Sequence, residues 1–139
     1  MRVALDSMIF IYLFEDDNRY RHVIQPLFQR IEEGKIEAYT SIVSPVEVLS
    51  DQKLLGNLNN LTIFSNFFIK TAHLMVKLVD WEVAAKASEL RRQYRPLKTP
   101  DALQLATGLV EQVDTFITND DRLTHLKLPI KITPLSKYK

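Results

Sequence analysis

"DTFITNDDRL", residues 114 to 123, decides the fold, because two kinds of sequence meet inside it. "TFIT" is an unbroken apolar and β-branched run, as expected of a strand covered on both faces in a parallel sheet. It stops at Asn119, Asp120 and Asp121, where a neutral Asn-Gly turn would serve as well. Carboxylates in that place ask for a reason, since open α/β sheets bind their ligands beyond the carboxyl ends of the strands.

Working outward, "RVALD" (2–6), "IEAYTS" (36–41), "LMVKLV" (74–79) and "IKITPL" (130–135) read as further strands. An apolar helical run follows the first of them, from Ser7 to Phe14. "YRHVIQPLFQRIEEG" carries apolar residues at 23, 24, 27, 28 and 31, a helical spacing that Gly34 ends. "SPVEVLSDQKLL" opens as a helix with Ser44 at the cap and Pro45 in the first turn. "LNNLTIFSNFFIKT" is read as another. Asp80 caps the amphipathic "WEVAAKASELRRQYR", and Thr99 with Pro100 starts "TPDALQLATGLVEQ". Strands therefore alternate with helices throughout. This predicts one α/β domain over residues 1–139, a three-layer α/β/α sandwich around a central, mostly parallel sheet of about five strands.

Composition bounds the function classes. A chain of 139 residues, 46% hydrophobic and 25% charged, falls in the ordinary soluble globular class and suits one domain. Cysteine is absent, so there is neither a disulfide framework nor a Cys-based metal site, as befits a cytoplasmic protein. The apolar run "SMIFIYLF" is far too short to cross a bilayer, and no signal peptide is read in "MRVALDSMIFIYLFEDDNR", where Asp6 interrupts the start of the apolar stretch; no membrane association is expected. A net charge of +1 does not announce a nucleic-acid binder, so such a partner would need a local patch or a bound metal.

Four carboxylates face the same edge if the strands are parallel: Asp6, Glu47, Asp101 and Asp120. Each has an ordinary structural explanation. Asp6 suits an N-cap. Ser44-Pro45-Val46-Glu47 fits the S-x-x-E capping box. Asp101 suits the first turn of a helix dipole, and Asp120 and Asp121 suit a turn. Ser7, Thr118 and Asn119 fit local caps. His22, His73 and His125 have no ligand spacing. Arg91, Arg92, Arg95 and Lys98 read first as a solvated helix face, and Phe64, Phe67 and Phe68 as core or subunit contact. The joint pattern is less ordinary. Carboxylates converging on one strand edge repel each other unless a cation neutralises them. An all-oxygen set without Cys or paired His favours Mg²⁺ or Mn²⁺ over Zn²⁺.

"VALDSMIFIYLFE", "TSIVSPVEVLS", "LKTPDALQLATG" and "DTFITNDDRL", in this order over essentially the whole chain, resemble the PIN-domain family and within it the VapC-like toxins of toxin–antitoxin pairs. The resemblance implies an α/β/α fold and a metal-dependent endoribonuclease. It sets the family's acids on Asp6, Glu47, Asp101 and Asp120. Thr118 matches the small hydroxyl residue before the last acid, and Ser7 stands where the family more often has Thr. Asp6, Asp101 and Asp120 are the implied metal ligands, with Glu47 binding directly, through water, or orienting the nucleophile. Ser7, Thr118 and Asn119 are candidates to orient carboxylates or contact phosphate. Asp121, beside Asp120, leaves the register of the last ligand open. Arg91, Arg92 and Lys98 are candidates to hold the RNA backbone.

The implied partners are RNA, a VapB-like antitoxin and a second copy of the chain. "LLGNLNNLTIFSNFFIK" crowds Leu54, Leu55, Leu58, Leu61, Phe64, Phe67 and Phe68 together, and such apolar excess marks a partner surface, here a homodimer built partly on residues 54–68. Three competing readings stand beside the toxin. One is a PIN nuclease of RNA processing. Another is a non-catalytic PIN-like module, whose usual mark is a lost carboxylate, and all four are present. The last is a phosphohydrolase, which wants an acidic pair after the first strand where "LDSM" offers one acid.

Overall fold

The computed structural model describes residues 1–138. Its sheet has five strands, β1 (Arg2–Leu5), β2 (Glu37–Ser41), β3 (Leu74–Lys77), β4 (Thr115–Thr118) and β5 (Lys131–Pro134), in the order β3-β2-β1-β4-β5. All four pairings are parallel, so the mostly parallel sheet expected from the apolar runs is parallel throughout. The chain begins in the middle, at β1. Val3 pairs with Ala38 on one side and with Thr115 on the other.

Side chains alternate across β1 and β4, and each face has its own core. Val3, Leu5 and Ile117 point into one, which is closed by α1 (Ser7–Phe14), α2 (Arg21–Glu32), α3 (Val43–Leu49) and α4 (Leu58–Lys70). Ala4 and Phe116 point into the other, against α5 (Trp81–Gln93), α6 (Thr99–Val110) and the short α7 (Asp121–Thr124). The result is the expected three layers. The chain runs outward from β1 to β3, crosses back through α5 and α6, and enters β4. The carboxyl ends of β1 and β4 therefore lie side by side where the direction of winding reverses, the crevice in which sheets of this kind place a site.

Gly34 ends α2 with φ +77°, and a Cβ there would stand 2.9 Å from the His73 imidazole. That packing occupies His73 far from the carboxylates' strand ends. Two helix starts differ from the sequence reading. α3 begins at Val43, with Ser44 inside it, because the turn out of β2 is capped by Ser41, whose Oγ accepts from Val43 N at 3.1 Å. α6 begins at Thr99 itself, with Lys98 at the cap position.

The aromatics of α4 divide between the alternatives read for them: Phe67 and Phe68 pack around Phe10 in the core, while the half-buried Phe64 stacks on Phe14 at 4.2 Å. The exposed apolar residues of this segment are instead Leu55, Leu58, Ile63 and Ile69. Among the described residues no helix is long and apolar enough to cross a membrane.

Candidate carboxylate site

Asp6 follows β1 and caps α1. Its Oδ1 accepts from Ser7 N at 2.8 Å, and its Oδ2 accepts from Thr118 Oγ1 at 2.7 Å, at the end of β4. Only 6% of it is exposed. Burial pushes its carboxyl up to about 6, opposed by the Thr118 and Ser7 hydrogen bonds and reinforced by the nearby charges of Asp101 and Glu47. A cap alone does not need such burial. The cap explanation and the site explanation thus describe one residue.

Ser7 joins Asp6 to the second acid. Its Oγ donates to Glu47 Oε1 at 3.0 Å and lies 3.5 Å from Asp6 Oδ1. The capping box read from Ser44 and Glu47 does not form. Ser44 faces inward, its Oγ 2.6 Å from Thr40 Oγ1, and it accepts from Gln104 Nε2 at 2.6 Å. Thr40 Oγ1 donates in turn to Leu5 O, while Gln104 Oε1 accepts from Ser41 N. This buried chain ties β1, β2, α3 and α6 together beneath the site. Glu47 lies one turn after Ser44, and Asp101 lies one turn before Gln104, so the network sets both helices that carry acids. Among the described residues no buried side-chain polar atom is left without a partner.

The other two acids meet through a cation. Asp120 caps α7, and Arg122 grips it with both ends of its guanidinium, Nε to Oδ1 at 3.0 Å and Nη2 to Oδ2 at 2.6 Å. The same Nη2 lies 3.8 Å from Asp101 Oδ2. Arg122 holds the Asp120 carboxyl below the usual carboxylate range. Asp101 is raised, by burial first and then by the charge of Asp120, against Arg122 and Lys98. Thr118 Oγ1 links the two halves, donating to Asp6 and accepting from Asp120 N at 3.0 Å.

The remaining candidates divide. Asn119 does not reach the carboxylates; its Nδ2 donates to the hydroxyls of Tyr12 and Tyr20, whose rings stack at 4.3 Å, and so pins the loop after β4. Asp121 is exposed at the start of α7, outside the hydrogen bonds and the Arg122–Asp101 ion pair that connect the other four acids. Arg91 and Arg92 line a surface cavity with Thr99, and Arg91 Nε donates to Leu97 O at 3.1 Å. Lys98 is exposed at the start of α6. Sequence reasoning missed Arg122 and Gln104. The signal for Arg122 was its place two residues after Asp120, and for Gln104 a polar residue on the apolar face of α6.

As they stand, the acids form two pairs, Asp6 with Glu47 through Ser7 and Asp101 with Asp120 through Arg122. Among the described residues no three of His, Asp and Glu are drawn close enough to hold a metal ion in this arrangement. The chemistry of the donors does fit a hard divalent cation: they are all oxygens, two have raised affinity for protons, and a third is already neutralised by a guanidinium.

No curated protein matches the chain significantly in sequence. Among the solved structures that share its fold are the following three. The DNA-bound VapBC from Salmonella typhimurium is 18% identical with a TM-score of 0.72, over 97% of this chain and 98% of that one. VapBC2 from Rickettsia felis, bound to a DNA fragment from its promoter, is 16% identical with a TM-score of 0.70, over 96% and 98%. A toxin–antitoxin complex from Klebsiella pneumoniae is 21% identical with a TM-score of 0.67, over 96% and 97%. A family model described as the PIN domain matches residues 3–128, a span that takes in β1 from Val3 onward, β4 and all four acids, and the chain belongs to the PIN-domain family.

Proposed function

We propose that the protein is a metal-dependent endoribonuclease and the toxin of a toxin–antitoxin pair. What supports this reading is a PIN-domain fold in which hydrogen bonds and an ion pair link Asp6 to Glu47 through Ser7 and Asp101 to Asp120 through Arg122, with Thr118 joining the two pairs beside the ends of β1 and β4. Asp6, Asp101 and Asp120 would hold Mg²⁺ or Mn²⁺, with Glu47 joining directly or through water. Such a cation, when bound, neutralises charge on a phosphate and lowers the pKa of an attacking water. The chain's own residues supply position. Thr118 and Ser7 fix both oxygens of Asp6, Ser7 orients Glu47, and the buried network under Ser44 and Gln104 keeps α3 and α6 in register. Arg91, Arg92 and Lys98 favour a polyanion along the start of α6.

The test is purified protein with total RNA, in Mg²⁺ and in EDTA, with cut ends mapped. Cleavage only with the metal, at many sites and leaving 5′-phosphates, is the expected result. Cutting confined to one precursor would favour RNA processing instead, and no cutting would leave a binding module.

In the metal-free protein Arg122 does the neutralising, so Arg122→Ala should tighten Mn²⁺ binding several-fold in calorimetry. Weaker binding in that variant would show that Arg122 does not compete with the cation.

The partners follow the same reading. The Klebsiella pneumoniae structure is a toxin–antitoxin complex, which supports an antitoxin here as well. A groove of about 470 Å³ between α3, α4 and β3, lined by Ile42, Pro45, Leu49, Phe68 and Ile69, offers an apolar seat for its amphipathic segment. Leu55, Leu58 and Ile63 are left for a homodimer contact. Light scattering should find twice the 16.1 kDa chain mass, and Leu58→Asp should return it to the monomer. A monomeric wild type would remove the dimer.

A further inference from the structure

A cavity of about 320 Å³ adjoins the acids between the α5–α6 segment and α7, walled by Tyr94, Pro96, Leu97, Leu123 and Leu126. It shares two residues with the carboxylate site, Asp101 and Arg122. We propose that this cavity receives the nucleobase next to the scissile phosphate and gives cleavage its sequence preference. The inference rests on the nuclease reading of the acids.

Four observations support it. Position comes first: the cavity is bounded by Asp101 and Arg122, so a phosphate held by a cation on Asp101 and Asp120 would bring its neighbouring nucleoside within reach of it. The walls come second. They are apolar, with one aromatic ring and one proline, surfaces suited to the flat face of a base and not to a phosphate or a sugar. The cavity is also preformed. Tyr94 Oη donates to Lys127 O at 2.9 Å and Arg91 Nε to Leu97 O at 3.1 Å, so the segment between α5 and α6 is pinned on both sides. Its volume is at the small end of ligand cavities, enough for a base and too small for a folded peptide segment.

Charge completes the picture. Arg122, at the junction of cavity and acids, is a two-toothed donor matched to phosphate oxygens once a cation replaces it on Asp120. Lys98 stands at the start of α6, and beyond it the cavity lined by Arg91, Arg92 and Thr99 continues the basic track. An RNA backbone following these cations passes the acids with one base turned toward Leu126.

The experiment fills the cavity with Leu126→Trp and enlarges it with Leu126→Ala, each checked for a cooperative melt. Wild type and variants then cut a random-sequence RNA pool in Mg²⁺, and the bases flanking the cuts are counted. Wild type should favour its best base over its worst by about tenfold at one flanking position, the discrimination a shaped pocket supplies. Leu126→Trp should bring that ratio near unity, and Leu126→Ala should shift it toward purines. No flanking preference in wild type, or the same preference in the variants, overturns the proposal and leaves the cavity to a side chain of a protein partner. Should Leu126→Trp not fold, Leu126→Ala decides alone. If no protein cuts RNA, the nuclease reading has failed and the cavity is judged separately. Nucleoside 5′-monophosphates are then titrated against ribose 5-phosphate. Base-dependent binding that the variants alter upholds the subsite, and equal binding removes it.

Discussion

Asp6→Asn should abolish Mg²⁺-dependent cleavage and, in EDTA, make the protein more stable. The two effects have one cause. Asp6 is buried between β1 and β4, and burial lifts its carboxyl to about 6, well above the value near 3.9 of an unfolded chain. As pH rises, the unfolded chain therefore loses this proton first. Between about pH 4 and pH 6 the folded state binds more protons than the unfolded one, so stability falls through that window and stays reduced above it. A shift of two units corresponds to about 3 kcal/mol, an upper bound on what Asn recovers above pH 6. Asn keeps an oxygen for Ser7 N and keeps the shape. A melting-temperature gain of roughly 5 °C at pH 8, vanishing at pH 4, is expected. Added Mg²⁺ should raise the wild type and not the variant, since only a carboxylate rewards the ion. Cleavage should fall on the order of a thousandfold, as when a preorganised charge is removed from a polar site. Asp101→Asn should lose activity similarly with a smaller gain in stability, because Asp101 is less buried. An Asp6→Asn protein that cuts at the wild-type rate, or melts lower at pH 8 in EDTA, would take Asp6 out of the site.

The parallel sheet was readable because central strands are covered on both faces and cannot alternate. "RVAL" and "TFIT" are buried along nearly their whole length, and each ends at a polar residue. The places of Asp6, Asp101 and Asp120 in the fold were readable for a related reason. A carboxylate at a strand's end or in a helix's first turn has a fixed address in a parallel sheet, whatever the loops do. Features set by tertiary contact escaped. Ser44 looked like a cap, yet Ser41, three residues upstream, caps the turn by accepting from Val43 N and leaves Ser44 for the interior. Gln104 sits in a helix whose apolar pattern hides it, and its partners at Ser41 and Ser44 lie some sixty residues away. Nothing in the sequence singled out Arg122, because its second partner, Asp101, belongs to another element. In α4 the apolar excess was visible, but its division was not. The aromatic face turned inward onto Phe10 and Phe14, leaving the aliphatic residues outside.

These misses share a physical origin that bears on the site. Ser44, Gln104 and Thr40 carry no charge, so no repulsion advertises them. Their worth lies in satisfying one another where water is excluded. They fix the helices, and the helices fix the acids. Loss of one member should loosen Glu47 and Asp101 together, whereas loss of an acid removes charge and leaves the scaffold in place.

Glu47→Gln separates a charge that acts on the reaction from one that serves only the scaffold. Before the structure, a capping box with Ser44 was an adequate account of Glu47, and Gln would have satisfied it equally. That account is gone, because Ser44 faces Gln104 and Thr40. What Glu47 does receive is the Ser7 hydroxyl, from the residue that also touches Asp6. A Gln oxygen accepts the same hydrogen bond, and the side chain is exposed, so the melting temperature should not move. Only the negative charge changes. If that charge helps hold the cation or its water, cleavage should drop by about a hundredfold or more, with Mn²⁺ binding weakened in parallel. Ser7→Ala provides the control. It keeps both charges and removes the hydroxyl that aligns them, so its loss should be smaller, and the double variant should be little worse than Glu47→Gln alone. Additive losses would mean that Ser7 and Glu47 act separately. Wild-type turnover by Glu47→Gln at normal Mn²⁺ affinity would mean that three carboxylates, and not four, make the site.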